Sequence, residues 1–187
     1  GEAAGRRLER GGKLGGNVML DGRVGGVFRL GSLATEADAL NSGGSVIFNF
    51  AGTTLAPTVS TVNDGTKTGV QIYNDAVVLQ NDTVLTSFFT APALVGGNIT
   101  FNSTVDSDAL ATPRDLAVNT SGNEIFNGRV GGVFRLGSLA TDADALNRGG
   151  SVIFNFAGPT LAPPVSTVND GTTTGVQVYN DAVGRQN

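Results

Sequence analysis

The residues that could do chemistry in this chain are acids, and they come in pairs. Glu36/Asp38, Asp106/Asp108 and Asp142/Asp144 stand two apart, while Asp64 and Asp170 sit in Asn-Asp-Gly turns. Clustered oxygen donors suit a hard cation such as Ca²⁺, yet the EF-hand loop and the Gly-rich calcium nonapeptide are both missing. Solvated turns account for the pairs better, so no cofactor is expected and calcium stays the weak alternative. The chain contains neither His nor Cys. That excludes a serine triad of the usual kind, a thiolate nucleophile, a disulfide framework and a Cys-based zinc site. Any catalysis would fall to carboxylates, Lys, Arg or Tyr. A glycan-cleaving site needs such groups converging once, whereas these acids recur with a repeat, and no catalytic residue is assigned.

Two further motifs have plain structural readings. Gly-Arg-Val-Gly-Gly at 22–26 and 128–132 lacks the Lys and the strand-turn-helix context of a phosphate loop. Tight corners explain those glycines. Arg23/Arg29 and Arg129/Arg135 would form a basic stripe only if the repeats stacked in phase, and otherwise serve as solvent-facing charge that discourages lateral aggregation.

These residues are carried by a repeat. Residues 22–77 return at 128–183, offset by 106, with six differences in 56 positions: Glu36/Asp142, Ser42/Arg148, Thr53/Pro159, Thr58/Pro164, Lys67/Thr173 and Ile72/Val178. Within it lies a shorter period. An aromatic or Leu followed by Asn or Asp occurs at Leu20, Phe48, Tyr73, Phe101, Phe126, Phe154 and Tyr179, at spacings that alternate between 28 and 25. A unit of that length matches one coil of a β-solenoid with three short strands and falls short of a propeller blade. The expected fold is therefore all-β, a parallel β-solenoid (β-helix) of about seven coils of 25–28 residues, roughly 35 Å long if coils stack like neighbouring strands at about 4.8 Å.

Stacking gives the motif residues structural roles. Leu20, Phe48, Tyr73, Phe101, Phe126, Phe154 and Tyr179 are expected to form a core stack. Asn49, Asn74, Asn102, Asn127, Asn155 and Asn180 are expected to form a ladder at one corner, each amide donating to one neighbour and accepting from the next. Alternation places Val46, Phe48 and Phe50 inward, with Val152, Phe154 and Phe156 in the copy and Ile99 and Phe101 in the related unit. In Val-Gln-Ile-Tyr-Asn-Asp-Ala-Val two phases compete. The motif turns Gln71 and Tyr73 inward, while hydrophobicity favours Val70 and Ile72. Ser-Leu-Ala-Thr-Glu-Ala-Asp-Ala-Leu and its copy have a helix-like composition, with Ser32 or Ser138 as N-cap, where the repeat demands strand and turn.

Domain organisation follows. Residues 1–16 form a basic, Gly-rich leader carrying Arg6, Arg7, Arg10 and Lys13, expected to be poorly packed, and 17–187 form one repeat domain. Setting aside the leader's four basic and two acidic residues leaves 8 basic against 14 acidic, a net charge of −6. That sign argues against nucleic acid and anionic membranes as partners. No apolar run is long enough to span a bilayer, and the pattern stops at Asn187 in mid-unit, as in a piece of a longer array.

The phrases GGNITFNSTVDS, NTSGNEIFNGRVGG, LGSLATDA and TGVQVYNDAV resemble the repeats of filamentous-haemagglutinin-like and autotransporter-associated β-strand repeat proteins, large bacterial adhesins. The resemblance runs from Gly16 to Val183. It implies a right-handed β-helix at the cell surface or outside the cell, a non-enzymatic structural and adhesive passenger. Its partners would be host or matrix glycans or proteins, and uncapped ends would favour end-to-end self-association. The alternatives are a carbohydrate-active β-helix enzyme and a self-assembling extracellular filament subunit.

Overall fold

The computed structural model describes residues 16–35, 44–142, 149–156, 163–169, 171 and 174–185. The basic residues of the leader lie outside them, as do Glu36, Asp38, Asp144 and Asp170. The described residues form strands and turns with no helix. In chain order the strands are β1 (Val18–Leu20), β2 (Leu33–Thr35), β3 (Ser45–Phe48), β4 (Val59–Asn63), β5 (Gln71–Tyr73), β6 (Ala76–Leu79), β7 (Thr83–Phe89) and β8 (Ile99–Phe101). They continue with β9 (Val105–Ser107), β10 (Asp115–Thr120), β11 (Glu124–Phe126), β12 (Ser138–Thr141), β13 (Ser151–Phe154), β14 (Gln177–Tyr179) and β15 (Ala182–Arg185).

Every pairing between these strands is parallel, in three sheets. The first runs β1-β3-β6-β9, the second β14-β12-β10-β7-β4, and the third β15-β13-β11-β8-β5-β2. From β3 to β11 the chain visits first, second and third sheet in strict rotation. Single bridges from Val24 to Val59, Val105 to Val130 and Val130 to Val165 supply the visits that no named strand makes. The cycle is thus completed six times where the aromatic spacing suggested about seven turns.

Register corrects the spacing too. Along the third sheet Leu33, Gln71, Ile99, Glu124, Val152 and Val183 stand in line, so successive steps are 38, 28, 25, 28 and 31 residues. Strand spacing is fixed by backbone hydrogen bonds, whereas the turns between strands absorb extra residues at little cost. The two near-identical copies therefore occupy different sheets: β3 lies in the first and its counterpart β13 in the third.

The core lies between the sheets and is built from inward β-branched and aromatic side chains, which fit a pleated surface. Val46, Phe48, Ile99, Phe101, Val152 and Phe154 are buried, while Phe50 and Phe156 are half-buried. The competing phases of β5 are resolved toward the motif. Gln71 and Tyr73 are fully buried and Ile72 faces outward. Burial of these polar groups is offset by hydrogen bonds. The Gln71 amide donates to the Thr61 hydroxyl (3.1 Å) and the Thr86 carbonyl (3.0 Å), and the Tyr73 hydroxyl donates to Gln71 Oε1 (2.8 Å). The helix-like segments begin as strands, β2 and β12, and of their remainders only Asp142 lies among the described residues.

Candidate functional site

The motif residues form two polar runs and one aromatic column. Asn102 Nδ2 donates to Asn74 Oδ1, Asn127 Nδ2 to Asn102 Oδ1 and Asn155 Nδ2 to Asn127 Oδ1, each at 2.6 Å. Backbone N–H groups fix the same register, since Asn102, Asn127 and Asn155 donate to the carbonyls of Tyr73, Phe101 and Phe126. Asn49 belongs to a separate run, donating to Asp21 and accepting from Asn81. Asn180 joins neither and donates to the carbonyls of Thr141 and Asp142. The rings follow suit. Tyr73, Phe101, Phe126 and Phe154 stack with centroids 5.2, 5.0 and 5.2 Å apart, and Phe48 and Tyr179 meet the two ends edge-on. Leu20 pairs with Phe48 in the first sheet and is half-buried.

The acidic residues marked by their spacing are spread through the fold. Asp106 Oδ1 accepts the N–H groups of Val133 and Phe134, and Asp108 pairs with Arg114 at 3.1 Å. Asp64 closes its turn by accepting from the Thr66 hydroxyl and the N–H groups of Thr66 and Lys67. Those bonds, the hydroxyl's first, pull its carboxyl down to about 2. The Gly-Arg-Val-Gly-Gly motifs are close approaches: Gly25 and Gly131 have φ of 73° and 67°, and a Cβ on either would strike the carbonyl of Ser60 or Ser166. Arg23 donates to the Pro57 carbonyl and Arg29 lies over the Phe88 ring at 3.8 Å. Val24 bridges to β4 of the second sheet and Val130 to β9 of the first, so no common stripe forms.

One group of acids does converge. Glu124 opens β11, where its register partners are Ile99 and Val152, and inward alternation carries it into the interior. Asp142 follows β12 with φ of 48°, its N–H bonded to the Val118 carbonyl and its Oδ1 accepting the Thr120 N–H at 3.0 Å. Asp181 sits in the turn between β14 and β15. One carboxylate oxygen from each lies within 4.8 Å of the others. Glu124 is 0% exposed and Asp142 5%, and Asp181 is half-buried. No N–H or hydroxyl donor reaches either oxygen of Glu124, Oδ2 of Asp142 or Oδ2 of Asp181. Burial pushes the Glu124 and Asp142 carboxyls well above the usual carboxylate range; both aspartates push Glu124 the same way, and Asp181 does so for Asp142.

Of these three, spacing had marked only Asp142. The missed signal was in the alignment of the copies: at an offset of 106 Glu124 stands opposite Val18, an acid where the other copy carries an apolar residue. Asp142 and Asp181 recur as Glu36 and Asp75. Among the described residues such a cluster occurs once, although two of its members recur in the sequence.

A groove of about 500 Å³ lies elsewhere, bordered by Arg23, Phe28, Arg29, Leu55, Asp64 and Phe88. Phe28 and Leu55 are 87% and 96% exposed there. Comparison of the chain with protein-family models, with curated proteins and with solved structures returns no match.

Proposed function

We propose that this chain is a right-handed parallel β-solenoid of six coils and serves as a non-enzymatic structural and adhesive module of a bacterial adhesin-like protein, displayed at the cell surface or secreted. The observation that carries this reading is the repeated rotation of the chain through three parallel sheets with aromatic residues in register. A chain built this way spends its sequence on a stiff extended shape, and each added coil lengthens it without changing its cross-section. The groove with exposed Phe28 and Leu55 beside Arg23 and Arg29 suits a host or matrix protein or glycan, since aromatic and Arg side chains are the usual anchors of contact surfaces. Among the described residues no further strand pairs with the outer edges of β1, β2, β14 and β15, which favours end-to-end association or continuation by further coils.

The enzymatic alternative requires acids that a polymer can reach. The acids that converge are centred on a fully buried Glu124, which favours a structural role for them. The test combines secondary structure and binding. Circular dichroism is expected to show strand without helix, and the chain is expected to bind immobilised matrix proteins or glycans, with Phe28→Ala/Leu55→Ala reducing retention at least severalfold. A helical spectrum, retention unchanged in the variant, or release of reducing ends from a polysaccharide panel would overturn the reading.

A further inference from the structure

We propose that Glu124, Asp142 and Asp181 form a binding site for one hard divalent cation, Ca²⁺ by size, that clamps the coil of β11 to the two coils that follow. Two buried carboxylates and a half-buried one, each with an oxygen within 4.8 Å of the others, would bring three like charges together in an interior that penalises even one. Two independent features point to a ligand there. Neither oxygen of Glu124, a side chain with no exposure, has an N–H or hydroxyl donor, and one of them lies within 4.8 Å of a carboxylate oxygen of each aspartate. Glu124 also stands between apolar register partners, Ile99 before it and Val152 after it.

Ca²⁺ takes oxygen donors at about 2.3–2.6 Å and tolerates irregular geometry, so oxygens up to about 5 Å apart can share one ion. Mg²⁺ needs a tighter octahedron and retains its waters, which a buried site of this kind does not suit. The three ligands come from β11, the end of β12 and the turn before β15, so the ion would join segments up to 57 residues apart in sequence, Glu124 to Asp181. The first copy offers no equivalent, because Val18 replaces the glutamate. The proposal is independent of what the module adheres to.

The experiment uses the full chain stripped with a chelator and titrated with CaCl₂ in a calorimeter, with melting followed in parallel. One Ca²⁺ per chain is expected, with a Tm rise of roughly 5–10 °C at about 100 times Kd. Glu124→Gln and Glu124→Val should abolish both the heat and the Tm rise. Glu124→Val should also melt above the stripped native chain, which separates loss of the site from loss of the fold. Absence of stoichiometric binding by the native chain would overturn the proposal, leaving shared protons to hold the carboxyls. Undiminished binding by a folded Glu124→Val would overturn it equally, by moving the ion to surface acids.

Discussion

The asparagine run and the carboxylate cluster face one problem, like polar groups brought together from successive strands, and answer it in opposite ways, the first at a partly exposed corner and the second in the interior. Along Asn74, Asn102, Asn127 and Asn155 each side chain carries both a donor and an acceptor, so repetition satisfies every amide oxygen but that of Asn155, where the run ends. Glu124, Asp142 and Asp181 carry acceptors alone. Bringing such groups together leaves oxygens unpaired, and no amount of stacking can correct it. Repetition stabilises a column only when the repeated group is complementary to itself. Aromatic rings meet that condition, with centroids 5.0–5.2 Å apart in the stacked part of the column, whereas carboxylates need an outside ion or proton.

The largest expected effect comes from breaking the self-complementary side. Phe126 is fully buried between Phe101 and Phe154. Phe126→Ala should cost about 3–5 kcal/mol in urea unfolding, a transfer loss plus a cavity that rigid coils cannot close. A loss below about 1 kcal/mol would mean that the column is not packed.

The cluster should respond with the opposite sign. Glu124→Val, measured in chelator, should stabilise the chain by about 1–4 kcal/mol, because a buried carboxyl without an N–H or hydroxyl donor gives way to apolar packing. The pH dependence sharpens this. Glu124 and Asp142 have raised carboxyl values, so the native chain keeps protons that the unfolded chain releases above about pH 4. Stability in chelator should therefore fall as pH rises from there, and the urea midpoint should be lower at pH 8 than at pH 5. Calcium should shrink that difference. A flat profile in chelator would count against the buried cluster.

The smallest effect belongs to the ladder. Asn102 lies at the surface and bonds Asn74 and Asn127. Asn102→Ala should cost about 1 kcal/mol, the net worth of ordinary hydrogen bonds exposed to water. A cost above about 3 kcal/mol would make the ladder a dominant stabiliser in place of a register device.

Much of this was legible in the chain. The aromatic-Asn phrase marks strand and corner, and the alternation of Val46, Phe48, Ile99 and Phe101 marks the inward face. Register was less legible. Backbone pairing joins Phe48 to Leu79, 31 residues on, and leaves Tyr73 to pair with Thr35, because turn length varies while strand spacing does not. The inward turn of Gln71 was hidden for another reason. Its hydrophobicity is poor, and only partners distant in sequence, Thr61 and Thr86, make its burial tolerable. Glu124 was hidden because a carboxylate among apolar column residues reads as surface until its register partners are known.

The central claim is that successive coils stack in the register that places Thr100 beside Ile125. Paired strands bring such residues within the Cα range of a disulfide, about 4.4–6.8 Å, and the chain has no cysteine of its own. The most direct measurement is oxidation of Thr100→Cys/Ile125→Cys, read by mass spectrometry and gel mobility. Near-complete intramolecular bridging is expected, with little in Thr100→Cys/Ile153→Cys, whose partners lie two strands apart. Failure of the first pair to bridge, or equal bridging of both, would contradict the stacked architecture.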